Sequence, residues 1–407
     1  MSSFLSSRRL VLVAFALFIV LGISAGVTGV AWPSIRSDFS RPLADLGALL
    51  AIGTGGYLVA GLLAGFITRR FGIGRALYAV MVVGTISLLG YGLVSSWPLL
   101  LVCAVGVGFT GGTVDSVVNA YVALNHGTRT MNLLHAFFGV GATVGPLLVA
   151  STLARGLSWK VAYFILAGVE ALLVIAVLRV RRLWPDAVKD LVSLPDGRSA
   201  RLGPMVLGLL GMFLLYVGVE ITAGQWSYSL LTESRGVGEL AAGIWVALYW
   251  GGLTGGRLLL GGIGDRVGPR RILQFSMIGS VAGSAFLWAD PIGLGVLGLP
   301  LLGFSFAGVF PTLVALTPAW VGKQRAQTVI GFQIAAASAG TALMPWVAGL
   351  IIDEVGLESL GPYLVALAVL MATLNWVIDR SAVSQGRVEH ARSPASRETT
   401  QRNSSQL

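Results

Sequence analysis

Residues 251–271 read GGLTGGRLLLGGIGDRVGPRR, a glycine-rich apolar run that passes directly into a basic turn. Residues 55–75, 196 positions earlier, read GGYLVAGLLAGFITRRFGIGR. Nine of these 21 aligned positions are identical, among them Gly65/Gly261, Ile67/Ile263, Arg70/Arg266, Gly72/Gly268 and Arg75/Arg271. A unit repeated about half a chain apart implies two equivalent halves. In a membrane chain, a parallel repeat of this size is the build of a carrier whose halves rock against each other.

Composition independently places the chain in a bilayer. Of 407 residues, 55% are hydrophobic and 11% charged, and the mean hydropathy is +0.81. Soluble domains carry roughly 25% charged residues. Apolar runs long enough to cross ~30 Å of hydrocarbon as helices occur over 10–33, 44–68, 75–95, 98–124, 131–154, 158–180, 203–231, 238–263, 271–290, 292–318, 325–352 and 359–379. The expectation is an all-α polytopic membrane protein with twelve transmembrane helices in two pseudo-symmetric six-helix bundles. The bundles are expected over 1–183 and 204–380, joined by a cytoplasmic linker over 184–203 and followed by a disordered cytoplasmic tail over 381–407.

The net charge of +10 is distributed unevenly. With loops assigned alternately, 22 of 28 Lys and Arg fall on the side of the N-terminus, five fall opposite, and Arg257 lies within a span. Positive-inside asymmetry of this kind puts both termini in the cytoplasm of a plasma (inner) membrane protein and disfavours a nucleic-acid partner. Cys103 stands alone, so no intramolecular disulfide forms. Ser7-Arg8-Arg9 precedes a long apolar run without a convincing cleavage site and reads as the start of a retained first span.

Gly261, Ile263, Asp265, Arg266, Gly268 and Arg270 resemble the G-x-L-x-D-R-x-G-R-R loop signature of the major facilitator superfamily. The resemblance implies the twelve-helix fold and a gating role for Asp265, Arg266, Arg270 and Arg70. The first copy has Arg69 where the family acid belongs, so the acid clamp is expected only from the C-terminal half.

Span 4, GVGFTGGTVDSVVNAYV, buries Asp115 with Asn119 one turn away. A carboxylate at such depth costs at least ~2.5–3.5 kcal/mol on insertion scales and marks ion or proton paths, although a permanently protonated structural acid would also fit. Span 5 carries Asn132 and His135. A histidine there can relay protons or serve as a neutral hydrogen-bonding residue. Asp115 and Asn119 after Gly106-x-Gly108, with Asn132-Leu133-x-His135-x-Phe137, resemble spans 4 and 5 of the fucose permease family of sugar–proton symporters. A second acid of that family would fall on Gly29 here.

Span 7 places Glu220 in mid-membrane, followed by Gln225 and Trp226, where glycine and β-branched residues suggest a broken cavity helix. Glu220 has no basic neighbour at helical spacing on its own helix. In span 8, Trp245 and Tyr249 form an aromatic stripe that either packs or stacks on a sugar face. Arg257 is expected to pair with an acid near the cytoplasmic end. Gln333 in span 11 is a candidate cavity liner, whereas Glu170 in span 6 reads as a scaffold or interfacial residue.

No nucleotide loop, metal-ligand cluster or nucleophile–base pair is evident, which predicts no catalytic residues and no cofactor. Proton coupling is assigned to Asp115, Glu220 and His135. Solute binding falls to Asn119, Glu220, Gln225, Trp226, Trp245, Tyr249 and Gln333, and gating to Asp265, Arg266, Arg257, Arg270 and Arg70. The expected activity is proton-coupled transport of a small polar solute, a sugar or polyol, by a monomer in the lipid bilayer. A proton-driven efflux antiporter is the alternative carrier. A non-transporting sensor or partner-binding subunit is the alternative of another class.

Overall fold

The computed structural model describes residues 2–184, 203–290 and 293–384. The first half contains α1 (Ser2–Asp38), α2 (Asp45–Phe71), α3 (Ile73–Leu93), α4 (Trp97–Asn125), α5 (Thr128–Leu153) and α6 (Lys160–Val180). The second contains α7 (Pro204–Ser229), α8 (Glu239–Val267), α9 (Pro269–Ala289), α10 (Gly298–Phe306), α11 (Val309–Val321), α12 (Lys323–Val355) and α13 (Leu360–Ser384). Eleven spans among the described residues are long and apolar enough to cross a membrane, with Gly295–Val321 counted as one. The remaining helix, α8, has 29 residues and carries Arg257, Asp265 and Arg266 between its neighbours α7 and α9. Twelve crossings result, and both ends of the array lie on one side, called here the near side.

The repeat holds at the level of helix ends. Phe71, Leu93 and Asn125 end α2, α3 and α4, and the residues 196 positions later, Val267, Ala289 and Val321, end α8, α9 and α11. Gly72 and Gly268 join the paired helices with φ of 79° and 83°. Only glycine adopts that backbone region without strain, which explains why both copies keep it.

One crossing departs from symmetry. The fourth crossing is a single helix, whereas its counterpart breaks at Ala307 and Gly308 into α10 and α11. Pro311 occupies the position equivalent to Asp115. Proline lacks the N–H that would continue the helical ladder but is tolerated within a first turn, so the chain restarts at Val309. The break expected in span 7 is not there: α7 is continuous to Ser229 and widens into a π turn only over Leu230–Ser234. Its Gly218 and Gly224 instead admit close neighbours, Met344 and Trp250. The last helix runs to Ser384, beyond the expected boundary at 380. Residues 185–202 of the expected linker and 385–407 of the expected tail lie outside the described residues.

The two halves meet tightly away from the near side. Arg36 at the end of α1 forms an ion pair with Glu233 after α7. Asp353 near the end of α12 accepts a hydrogen bond from the Ala44 backbone N–H at the start of α2 (3.1 Å). Gln225 Nε2 on α7 donates to the Ala25 carbonyl on α1 at 3.0 Å. Gly47 packs so closely on Trp346 that an added Cβ would lie 2.3 Å from its Cα. Further toward the near side, α5 and α8 still touch at Gly139 and Thr254, but Gly255, Gly261 and Gly262 have open space around them. The protein is therefore closed on the far side and open on the near side.

Candidate functional site

Two polar clusters lie between the membrane-crossing helices, one in each half. In the first, Tyr57 Oη on α2 donates to Asp115 Oδ2 on α4 at 2.6 Å. Asn119 Nδ2, one turn along α4, donates to Asp115 Oδ1 at 2.9 Å. The pairing requires α2 and α4 to approach closely. Small residues allow it: a Cβ on Gly108 would lie 1.9 Å from the Gly53 carbonyl oxygen, and one on Gly112 would lie 2.2 Å from that of Tyr57. Gly61, Ala64, Gly65, Ser116, Asn119 and Met131 line a cavity of about 370 Å³ beside this cluster on the near side. Asn119 Oδ1 is buried without a partner.

The second cluster lies between α7 and α8. Tyr249 Oη on α8 donates to the Glu220 carbonyl on α7 at 2.6 Å, which fixes the two helices in register. Two turns toward the near side from Tyr249, Arg257 lies within electrostatic reach of Tyr216 and Glu220. Glu220 is 8% exposed and Tyr216 1%. Although both are buried and close to Arg257, Glu220 Oε2 and Tyr216 Oη have no well-aligned hydrogen-bond partner. A buried polar atom left unpaired costs about 1–3 kcal/mol, and here Tyr216 lies between Glu220 and Arg257, within hydrogen-bonding reach of both. His135, exposed in the opening, lies within electrostatic reach of Arg257 from the opposite half and meets Phe18 edge-on.

Several expected roles change with these positions. Arg257 is within electrostatic reach of Glu220 on the neighbouring helix, a proximity that spacing along α7 alone does not reveal, and the two form no ion pair. Tyr249 is fully buried and hydrogen-bonded, with Gly303 against its backbone, so it positions Glu220 rather than offering a free stacking face. Trp226 is likewise buried, and its Nε1 donates to the Pro345 carbonyl on α12 at 3.0 Å. Gln333 Nε2 donates to Thr317 Oγ1 at 2.9 Å between α12 and α11, away from both clusters. Gln225 bridges the halves on the far side of Glu220, with its Oε1 buried and unpaired. Trp245 is half-buried on α8.

Among the expected gating residues, Arg270 forms an ion pair with Asp379 on α13, within its own half (2.5 Å). Arg70 lies over the Phe71 ring at 5.7 Å, and Arg266 is exposed. The Asp265 side chain lies outside the described set. Glu170 is buried in the first half beside Gly84 and Thr110.

Tyr57 and Tyr216 are functional candidates that the sequence reading misses. Tyr216 precedes Glu220 by one turn on the same face, and that i, i+4 spacing is the signal that could have found it. Tyr57 has no local signal, because its partner is 58 residues away.

Comparison with known proteins agrees with this architecture. The family model described as "Major Facilitator Superfamily" matches residues 14–221 and 208–402. The chain is 26% identical over 358 residues to the "Glucose/mannose transporter GlcP" of Bacillus subtilis (strain 168), covering 84% of this chain and 88% of the relative. It is 25% identical over 382 residues to the "Sodium-dependent glucose transporter 1" of Homo sapiens, covering 83% and 72%. The crystal structure of a mutant of the nucleoside transporter NupG superposes with a TM-score of 0.74 at 13% identity, covering 92% of this chain and 99% of that one. This last likeness concerns the fold alone. Matched in both halves, the chain belongs to the major facilitator superfamily, a family of membrane transporters rather than enzymes.

Proposed function

We propose that this carrier moves a sugar or related polyol by alternating access, driven by protons taken up at Asp115. The observation that carries the reading is the incomplete hydrogen bonding of Glu220 Oε2 and Tyr216 Oη in a buried site beside the near-side opening. A hydroxyl group both donates and accepts, so a hydroxyl-rich solute can complete both atoms at once. Sugar transporters among the relatives support the same class of solute.

Orientation follows from charge: the near side carries 22 of 28 Lys and Arg and is the cytoplasmic side. The structure then corresponds to an inward-open carrier in the plasma membrane, acting as a monomer. Rocking of residues 1–183 against 204–380 would expose the site alternately. Asp115 serves as the proton carrier because Tyr57 and Asn119 hold both of its oxygens beside a cavity on the same side. One charge moved across the membrane supplies ~2.3 kcal/mol per 100 mV, enough to drive solute uphill.

The human relative is named as sodium-dependent, so the coupling ion is tested directly. Purified carrier in proteoliposomes, given labelled hexose, should accumulate it under an imposed pH gradient in sodium-free buffer. Accumulation only under a sodium gradient would assign coupling to sodium. No hexose movement under either gradient would overturn the sugar reading.

A further inference from the structure

The near-side ends of α2, α3 and α6 together form a basic patch. Gly74, in the first turn of α3, lies with its backbone directly against Arg181 just after α6, with no room for a side chain between them. That contact brings Arg69, Arg70 and Arg75 of the α2–α3 junction to the same end of the bundle as Arg179, Arg181 and Arg182. All six are exposed. Each stands at the end of a span long and apolar enough to cross a membrane, which is the depth of lipid headgroups.

The second half treats the same positions differently. Under the 196-residue shift, Arg69 corresponds to Asp265 and Leu183 to Asp379, while Arg179, Arg181 and Arg182 correspond to Asn375, Val377 and Ile378. There Arg270, the counterpart of Gly74, forms an ion pair with Asp379 that joins α9 to α13. The first half lacks both acids and carries arginines where its counterpart is neutral. Its acids among the described residues are Asp38 and Asp45, at far-side helix ends, and Asp115 and Glu170, within α4 and α6. Clustered like charges repel, so the patch needs an anion from outside this half. The linker cannot supply a net one, because Asp186, Asp190 and Asp196 are balanced by Lys189, Arg198 and Arg201.

We infer that this patch binds the headgroup of an anionic phospholipid in the near-side leaflet. Guanidinium groups match phosphate oxygens with paired donors. Apolar side chains interleaved with the arginines favour a lipid over free phosphate. Phe71, Leu178 and Leu183 are exposed in the same two segments, where acyl chains can cover them. The site is independent of the solute and of the coupling ion.

Full-length carrier in an uncharged detergent is titrated with dansyl-labelled phosphatidylglycerol, and binding is read by energy transfer from tryptophan. Unlabelled phosphatidylglycerol should compete at concentrations at least about tenfold below those of phosphatidylcholine. Glycerol phosphate, the free headgroup, should not compete in that range. One arginine near the surface is worth roughly a factor of five, so Arg69→Gln/Arg181→Gln/Arg182→Gln should weaken binding by about a hundredfold. Lysine at the same three positions keeps the charge and should keep the binding, which separates charge from damage to the fold. The control Arg271→Gln/Arg325→Gln/Arg380→Gln removes as much charge from the near side of the other half and should bind as wild type does. Equal weakening by the two glutamine triples would mean diffuse attraction to a basic face, and would overturn the inference. So would competition by glycerol phosphate as effective as that of the lipid. Binding about tenfold tighter in Asp186→Asn/Asp190→Asn/Asp196→Asn would also overturn it, by assigning the patch to the linker acids.

Discussion

Tyr57 and Asp115 join the middle of α2 to the middle of α4 through a 2.6 Å hydrogen bond. Thirteen residues earlier on α2, the Ala44 N–H is held by Asp353 of the other half. At 1.5 Å per residue the two contacts are about 20 Å apart along one helix. Helix α2 therefore spans, as one continuous element, from the Tyr57–Asp115 contact to the contact that closes the far side.

The first expected outcome concerns Asp115. Asp115→Asn removes a titrating group while keeping the shape and one acceptor for Tyr57. Net accumulation of solute under a pH gradient should disappear, whereas exchange of labelled for unlabelled solute should persist, because exchange needs no net proton movement. Accumulation comparable with wild type would clear Asp115 of coupling and direct attention to His135 and Glu220.

A second follows from close packing. An alanine Cβ at position 112 would have to displace the Tyr57 backbone, since its oxygen, carbonyl carbon and Cα would all lie within 2.9 Å of the added methyl group. Overpacking of this kind costs about 1–3 kcal/mol. Gly112→Ala should lower thermal stability and impair gradient-driven uptake more than exchange, by moving Tyr57 from Asp115. Gly168, which has open space around it, supplies the control: Gly168→Ala should leave both assays near wild type.

How much of this is legible in the sequence depends on the range of the contact. The 196-residue repeat correctly places the turns at Gly72 and Gly268, because a left-handed glycine is a local requirement. The depth of Asp115 and Glu220 is also legible, since an acid in an apolar run needs no partner to be noticed. The proximity of Arg257 to Glu220 is not legible, because the two lie 37 positions apart on different helices. Trp226 and Gln333 look like solute ligands because polar and aromatic side chains in a membrane suggest a cavity. Their bonds to Pro345 and Thr317 show the same side chains satisfied by neighbouring helices. The break in the tenth crossing is written in Pro311, whereas the glycines of span 7 point to a break that does not exist.

The far-side closure gives a third outcome. A carboxylate at a helix N-terminus contributes about 0.3–1 kcal/mol, so Asp353→Ala should shift the balance away from the near-side-open state by about two- to fivefold. Distances between spin labels on the far ends of the two halves should lengthen or broaden toward longer values. An unchanged distribution would make Asp353 a solvated helix-end residue without a role in closure.

Orientation is checked separately. A reporter active only in the cytoplasm should work when fused at the C-terminus. Inserted between Gly236 and Gly238, on the far side, it should be silent. Reversed activities would invert the assignment of both faces, and the structure would then represent an outward-open carrier.

The last outcome separates recognition from closure at Trp226. Its indole is buried, donates to the Pro345 carbonyl on α12 at 3.0 Å, and packs on Gly349, which itself touches Ala44 of the other half. The side chain thus braces the C-terminal half where the halves meet on the far side, not the incomplete site near Glu220. Trp226→Phe keeps an aromatic ring but leaves the Pro345 carbonyl without that donor, a loss of about 1–3 kcal/mol if no water reaches it. The expected result is a drop in stability and a change in the far-side distance distribution. The ratio of inhibition by glucose and its epimers should stay as in wild type, because no solute contact has been removed. Glu220→Ala should behave in the opposite way, with affinity for the best epimer falling by about ten- to a hundredfold. Should Trp226→Phe alter epimer selectivity while the distances stay fixed, the indole would be a solute ligand after all, reached only in another state of the carrier.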